Sequence, residues 1–322
     1  MNKKKFESVI KKFSEKKIAV VGDVMLDKFI WGKITRVSPE SPVPIIDVEK
    51  ESEHLGGAAN VAMNIKSLSS DILLFGIIGN DESGTHFKKI LEKNKISTYG
   101  IVRDNRPTTV KTRIIAHNQH ITRIDKEVKK KISEKTENKI FSLIKKKIDE
   151  IDAIILEDYN KGVLTENLIS KIIDLSLKKN KIVTVDPKLE NFFSYKNVFL
   201  FKPNTKEIEN SLKIPVHTDS EIEIAGKKLL EKLNAKHILI TRSENGMSLI
   251  SRDGNIFHIP TIAKKIADVS GAGDTVIATL TLSLACGLST LESAMLSNIA
   301  AGSVCEEIGV VPITKEKLQN SI

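Results

Sequence analysis

The sequence contains little cysteine and few aromatic residues. Its 322 residues include two cysteines, one tryptophan and 5% aromatic residues. Cys286 and Cys305 lie in apolar stretches without the spacing of metal ligands, so we expect reduced core residues rather than a zinc site or disulfides. No basic stretch is interleaved with aromatic residues, as a surface that stacks nucleic-acid bases would be.

Long hydrophobic runs are also missing. No apolar segment approaches the roughly 20 residues that a membrane-spanning helix needs. The lysine-rich N-terminus lacks the apolar segment and small-residue cleavage site of a signal peptide. We therefore expect a cytoplasmic protein with no membrane-bound part.

Several common motifs are missing as well. The chain has no Gly-x-x-x-x-Gly-Lys-[Ser/Thr] segment, no Gly-x-Gly-x-x-Gly after its first predicted strand and no Gly-x-Ser-x-Gly segment. The sequence therefore does not predict a Walker-type phosphate loop, a standard dinucleotide site or a serine hydrolase.

The charge is unbalanced, with 50 Lys+Arg against 41 Asp+Glu and a net charge of +9. The densest lysine runs, at 3–5, 129–131 and 145–147, lie in stretches with apolar residues at helical spacing. We interpret them as solvated helix faces and expect no nucleic-acid partner. The alternative, nucleic-acid binding through this charge, predicts strongly salt-dependent affinity.

Short apolar runs alternate with helical patterns along most of the chain. Short, mainly apolar runs typical of buried parallel strands occur at 18–21, 151–156, 181–185 and 237–240, and the first of them is continuous. The alternation predicts an α/β fold with a mainly parallel central sheet and helices on both faces. Polar residues follow the predicted strands, and ligands bind at this edge of such sheets.

Two segments depart from this alternation. Residues 31–50 contain Gly32 and three prolines among β-type residues, which predicts an irregular loop followed by an edge strand. Residues 108–124 alternate and turn back at 117–120, which predicts a hairpin. We expect these segments to form a small four-stranded lid within a single domain of residues 1–322.

The stretch DVSGAGDTV at 268–276 is the main candidate for a ligand site. The apolar run that follows predicts a buried helix over 276–286. Gly271, Ala272 and Gly273 would then present free N–H groups at a helix N-terminus, which is an anion site. Asp274 has two interpretations, a helix cap or a general base beside a phosphate.

Three other polar groups are expected near the same sheet edge. The segment GGAAN at 56–60 lets a ligand approach closely, and Asn60 can bind a hydroxyl. Asn204-x-x-Glu207 offers oxygen ligands for Mg²⁺, or forms a capping box. Asp23 and Asp27 can contact a polyol, or act as turn and cap residues. Together these groups suit phosphoryl transfer, which needs positioning, charge neutralisation and a base.

These segments resemble the ribokinase (PfkB) family of sugar kinases. GGAAN and DVSGAGDT are similar to the two signatures of the family, and Asn204-x-x-Glu207 lies between them in the order of the family. The resemblance covers about residues 10–320. It implies a ribokinase-like three-layer sandwich with a β-strand lid, and ATP and Mg²⁺ as cofactors.

Three further segments resemble the branch of this family that acts on D-glycero-β-D-manno-heptose 7-phosphate: VVGDVMLD at 20–27, RVSPESPVP at 36–44 and TRSENGMSL at 241–249. The resemblance implies phosphorylation of the anomeric hydroxyl to the 1,7-bisphosphate in ADP-heptose synthesis for the lipopolysaccharide core. It also implies a homodimer through the lid, and a separate nucleotidyltransferase and phosphatase in the pathway. Glu157 departs from the family, in which a small residue is common.

The resemblance also implies roles for single residues. Asp274 is implied as the catalytic base, with Gly271, Ala272 and Gly273 as the anion hole. The residues implied at ATP, with Asn204 and Glu207 also at Mg²⁺, are Asn204, Thr205, Lys206, Glu207, Thr241, Arg242, Ser243, Gly246 and Asn298. Those implied at the sugar hydroxyls are Asp27, Gly56, Gly57 and Asn60. Charge and expected placement predict that Arg113, Arg123, Lys188 and Lys161 bind the 7-phosphate.

Two other hypotheses stay open at this point. The chain could be a kinase of the same family for ribose, fructose 6-phosphate or tagatose 6-phosphate. It could also be a non-catalytic sensor of sugar phosphates on the same scaffold, although Asp274 and Asn204-x-x-Glu207 argue against that.

Overall fold

The computed structural model describes residues 3–117, 119–262, 267–307 and 309–322. Asn118, in the predicted hairpin turn, lies outside these ranges. The strands are, in chain order, β1 Lys17–Gly22, β2 Val24–Val37, β3 Pro44–Gly57, β4 Asp71–Gly79, β5 Ser97–Asp104, β6 Val110–Ala116, β7 Gln119–Lys126, β8 Ala153–Glu157, β9 Ile182–Asp186, β10 Leu200–Phe201, β11 His237–Thr241, β12 Met247–Ser251 and β13 Ile256–Ile259.

Helices connect most of the strands. They are α1 Lys3–Lys11, α2 Ala58–Ser67, α3 Glu82–Lys93, α4 Glu134–Lys147, α5 Glu166–Lys178, α6 Thr205–Leu212, α7 Asp219–Leu233, α8 Ala272–Ala285, α9 Thr290–Cys305 and α10 Lys315–Asn320. In the part of the chain that the structure describes, no helix combines the length and the apolar character needed to cross a membrane.

A nine-stranded sheet in the order β13-β12-β11-β10-β9-β8-β1-β4-β5 forms the centre of the molecule. The pairs from β11 to β5 are parallel, and β12 and β13 add an antiparallel edge. Strand β1 shows why its run is continuously apolar: Ile18 and Val20 enter the core on one face, and Ala19 and Val21 the core on the other. The predicted α/β fold is confirmed.

A second sheet has four strands in the order β3-β2-β6-β7. The prediction of an irregular loop from residue 31 was wrong, because β2 and β3 pair along most of their length, with register shifts at Trp31/Gly32 and Ile34/Arg36. Pro39 and Pro42 lie in the connection between these strands and Pro44 begins β3, so the prolines do not interrupt the hydrogen-bonded ladder.

The carboxyl ends of the parallel strands and the beginnings of α2 and α8 meet at one edge of the main sheet. Helix α8 begins at Ala272, four residues before the predicted start at 276, with Gly271 as its N-cap. Asp274 therefore lies in the first turn of the helix and is not its N-cap.

Candidate active site

The beginning of α8 is shaped by a glycine. Gly271 has a φ of 81°, a left-handed conformation that is strained for residues with a Cβ. A Cβ at this position would also lie 3.0 Å from Asn60 Nδ2. Ala272 donates its N–H to the Val269 carbonyl, whereas no described residue accepts from the N–H groups of Gly271 and Gly273. Two of the three predicted donors are therefore available to an anion.

Asp274 is buried at this helix end and both of its oxygens accept hydrogen bonds. Asn60 Nδ2 donates to Oδ2 at 2.6 Å, and Tyr159 Oη donates to Oδ1 at 2.9 Å. Burial raises the pKa of Asp274 to about 6, and the nearby Asp186 carboxylate adds to the increase while both hydrogen bonds oppose it. A carboxylate with this pKa is suited to accept a proton near neutral pH.

Two more carboxylates lie beside Asp274. Oxygen atoms of Glu157, Asp186 and Asp274 all lie within 4.8 Å of one another. The buried Lys202 Nζ lies 2.7 Å from Asp186 Oδ2. Burial lowers the pKa of Lys202, but the Asp186 and Glu157 carboxylates outweigh it, so that the pKa is raised and the ammonium stays charged.

Glu157 is the third acidic group of the site, and its surroundings disfavour its charged form. Its Oε2 is buried and has no hydrogen-bond partner among the described residues. Burial, with the charges of Asp186 and Asp274, raises the pKa of Glu157 well above its ordinary value. Ionisation of Glu157 is therefore disfavoured relative to an exposed glutamate, which reduces the extra negative charge that the sequence suggested.

A cavity of about 440 Å³ lies over the beginning of α8. This volume is in the range of pockets for small molecules and cofactors. The predicted site residues that line it are Lys188, Asn204, Thr241, Ser243, Gly246, Gly271, Ala272, Gly273, Asp274 and Asn298. The structure thus brings the glycine stretch together with most of the residues implied at ATP.

The other residues implied at ATP do not line this cavity; they are Thr205, Lys206, Glu207 and Arg242. Arg242 Nη2 instead lies 2.6 Å from Asp219 Oδ1. Asn204 and Glu207 form the capping box that the sequence left as an alternative, in which Glu207 Oε2 accepts the Asn204 N–H at 2.9 Å. Lys188 Nζ donates to the other oxygen, Oε1.

The residues implied at the sugar hydroxyls gather where β2, β3 and α2 meet. Asp27 is buried and paired with Arg113. A Cβ on Gly56 would meet Asp27 Oδ2, so glycine leaves the space that this carboxylate occupies. Gly57 has a φ of 60° just before α2, and Asn60 in the first turn reaches Asp274. These residues come from the first 60 positions of the chain yet adjoin the glycine stretch.

The four cations predicted to bind the 7-phosphate all have carboxylate partners. The pairs are Arg113 with Asp27, Arg123 with Asp125, Lys161 with Glu127 and Lys188 with Glu207. Their predicted role in phosphate binding stays a prediction, and each of them would have to exchange or share its present partner.

Sequence reasoning missed Tyr159, Asp186 and Lys202. Asp186 ends β9 and Lys202 follows β10, so the rule that ligands bind at strand ends could have singled them out. Tyr159 lies in the loop after β8, and no local signal shows that its hydroxyl reaches Asp274, 115 residues away.

Comparison with known proteins identifies a family. The profile of the pfkB family carbohydrate kinases matches residues 15–317. The bifunctional protein HldE of Helicobacter pylori (strain HPAG1) is 42% identical over 304 residues, which are 94% of this chain and 65% of the relative. The bifunctional protein HldE of Trichlorobacter lovleyi is 38% identical over 319 residues, which are 99% of this chain and 65% of the relative. The chain thus spans slightly less than two thirds of these relatives.

Solved structures agree with this family. Phosphofructokinase-2 from Escherichia coli in complex with fructose-6-phosphate has a TM-score of 0.77 at 16% identity, over 95% of this chain and 97% of that one. Arabidopsis thaliana ribokinase complexed with ribose and ATP has a TM-score of 0.74 at 18% identity, over 95% and 98%. At these identities the likeness concerns the fold, and it confirms the predicted ribokinase-like sandwich. Because the family profile covers nearly the whole chain and the fold agrees with it, this protein belongs to the pfkB family of carbohydrate kinases.

Proposed function

We propose that this protein transfers the γ-phosphate of ATP to the anomeric hydroxyl of D-glycero-β-D-manno-heptose 7-phosphate. The observation that carries the proposal is Asp274, a buried carboxylate at the beginning of α8 that faces the cavity and is joined to Asn60 of the predicted sugar site. The choice of heptose 7-phosphate is supported by the resemblance of residues 20–27, 36–44 and 241–249 to kinases of that sugar.

The reaction follows from this geometry. Asp274 accepts the proton of the attacking sugar hydroxyl, whose oxygen forms a bond to the γ-phosphorus while the bond to the ADP oxygen breaks. The N–H groups of Gly271 and Gly273 stabilise the negative charge on the phosphoryl oxygens during transfer. Asn60 and Tyr159 hold the carboxylate in place, and each oxygen keeps a lone pair for the proton.

Mg²⁺ fits the oxygen-rich side of the cavity. Asp186 lines the cavity, and carboxylate oxygens are the ligands that Mg²⁺ prefers. Both Glu207 oxygens already accept hydrogen bonds, which favours contact of Glu207 and Asn204 with the ion through water. When bound, the ion neutralises charge on the β- and γ-phosphates of ATP.

The substrate assignment is tested by measuring ADP release with a panel of acceptors. We expect kcat/KM to be highest for heptose 7-phosphate, compared with ribose, fructose 6-phosphate and tagatose 6-phosphate. Transfer to one of these sugars but not to heptose 7-phosphate would contradict the heptose 7-phosphate assignment. The protein would then be a kinase of the same family for that other sugar. ATP and sugar binding without transfer to any acceptor would favour the sensor hypothesis.

We further propose a homodimer formed through the four-stranded sheet. Val37 and Val48 are exposed on β2 and β3, and an interface there would remove this apolar surface from water. Sedimentation equilibrium is expected to show a dimer, and Val48→Lys to weaken it, whereas Leu177→Lys at an exposed position of α5 should not. A monomer at assay concentration contradicts the proposal.

A further inference from the structure

Lys111 stands out among the cations near the proposed sugar site because it has no acidic partner among the residues that the structure describes. It lies on β6 and is half-buried. Arg113, two residues along the same strand, is paired with Asp27. Lys111 Nζ, in contrast, forms no hydrogen bond or ion pair with any residue between 3 and 322 that the structure describes. Its ammonium group lies instead over the ring of Tyr159.

The surroundings of Lys111 disfavour its charged form when no anion is bound nearby. Burial lowers the pKa of Lys111, and the positive charge of Lys161 lowers it further. The carboxylates of Asp27, Asp125 and Glu127 act in the opposite direction, but each of them already pairs with another cation. Two ammonium groups that repel each other in a partly buried place are stabilised when an anion binds between them.

The position of Lys111 relates it directly to the proposed base. Its Nζ lies 5.7 Å from the centre of the Tyr159 ring, and the hydroxyl of that ring donates to Asp274 Oδ1 at 2.9 Å. Lys111 is also the register partner of Asp27 on the parallel strand β2, so both side chains project from the same face of the small sheet. Lys111 therefore lies near Asp27, the implied sugar ligand, and near Tyr159, which holds the proposed base Asp274.

We propose that Lys111, together with Lys161, binds the phosphate monoester at the far end of the sugar substrate and so selects phosphorylated sugars over unphosphorylated ones. The proposal rests on the proposed function, because it takes Asp274 as the group that receives the accepting hydroxyl. The side chain of Tyr159 separates Lys111 from Asp274. A sugar phosphate can therefore place its reacting hydroxyl at Asp274 and its phosphate, several bonds away, at Lys111. Arg113 and Arg123, which are paired with Asp27 and Asp125, then act on the sugar or on the fold. Lys161 is also paired, with Glu127, but its positive charge acts directly on Lys111, so an anion at Lys111 is stabilised by both ammonium groups.

The test compares Lys111→Met with Lys126→Met, a matched loss of one lysine from the exposed end of the neighbouring strand β7. A charge-assisted hydrogen bond contributes about 1.5–3 kcal/mol, so we expect K111M to raise KM for heptose 7-phosphate about 10- to 100-fold. KM for ATP should not change, and the preference for the 7-phosphate over unphosphorylated heptose should disappear. K126M and the charge-conserving Lys111→Arg should keep KM for heptose 7-phosphate near that of the native protein.

Calorimetric titration of heptose 7-phosphate without ATP separates the two proposals, since binding needs no catalysis. A native protein that neither binds nor phosphorylates this sugar phosphate overturns the proposed function. A native protein that phosphorylates it while K111M retains its KM and its affinity overturns the phosphate site. An increased KM for ATP with unchanged KM for the sugar phosphate would also overturn it. If K111M melts at a lower temperature than the native protein, its weaker sugar-phosphate binding supports the proposal only if K111R binds the sugar phosphate normally. Weak binding by both variants would overturn the proposal.

Discussion

Replacing Asp274 with asparagine is expected to lower turnover by about 10²- to 10⁴-fold while ATP and the sugar phosphate still bind. Asparagine has nearly the same shape and can still accept a hydrogen bond from Tyr159, but it cannot take the proton of the sugar hydroxyl. The measurement is the rate of ADP formation at saturating substrates, with both affinities determined by calorimetry. The exposed Asp149, which pairs with Lys179, offers the matched control Asp149→Asn, for which we expect an unchanged rate.

The same substitution has an expected effect on stability that depends on pH. Burial raises the pKa of Asp274 from 3.8 to about 6, so ionisation costs more free energy in the folded protein than in the unfolded chain. The native aspartate therefore contributes stability below its unfolded pKa and loses that contribution as the pH rises through about 6. We expect D274N to raise the melting temperature more at pH 8 than at pH 4.

Together the two readouts distinguish a lost base from a damaged fold. The native kcat/KM should also decrease as the pH falls below about 6, because Asp274 then becomes protonated. A D274N variant with a near-normal rate would remove Asp274 as the base. A variant with a low rate and a lower melting temperature at pH 8 would indicate that the substitution acts on the fold instead.

The largest expected loss of stability comes from Lys202→Met. Removing one partner of a buried ion pair costs about 3–5 kcal/mol in the free energy of unfolding, because the remaining charge is uncompensated. Lys202 Nζ lies 2.7 Å from Asp186 Oδ2, and Glu157 is the next carboxylate. The loss should be larger at pH 8 than at pH 5, because Asp274, whose pKa of about 6 is kept from rising further by the Lys202 charge, is ionised at pH 8 and largely protonated at pH 5.

Lys179→Met is the matched control for this stability effect. Lys179 Nζ lies 2.9 Å from Asp149 Oδ1, but both side chains are exposed, so water and salt screen the pair and its loss should change the free energy of unfolding little. Urea unfolding of both variants at pH 5 and pH 8 measures the difference. Equal, small losses in the two variants would show that the charge of Lys202 does not stabilise the site.

The sequence was sufficient for the main sheet and for the presence of a small four-stranded sheet, but not for the full extent of β2 and β3. Runs such as Ile18–Val21 predicted buried parallel strands because apolar side chains must enter a core on each face, and the structure shows two such cores. Strands β2 and β3 were missed in part because polar residues and prolines hide their pattern. These two strands form because they pair with each other, from Val24 with Gly57 to Val37 with Pro44, rather than because of the strand propensity of their residues.

The candidate site shows the same division between local and distant contacts. Gly271 and Asp274 could be predicted because a glycine turn, a carboxylate and an apolar run are neighbours in sequence. The hydrogen bond from Tyr159 to Asp274 could not, since 115 residues separate them. Likewise, the charge of Arg113 was visible in the sequence, whereas its pairing with Asp27 is decided only when β2 and β6 come together.

The most direct test of the account is a ³¹P NMR spectrum of heptose 7-phosphate incubated with the protein, ATP and Mg²⁺. We predict one new phosphate signal coupled to the anomeric proton, retention of the 7-phosphate signal, and one ADP formed for each new sugar phosphate. Consumption of ATP that yields only inorganic phosphate, or no change in the sugar phosphate signals, would contradict it.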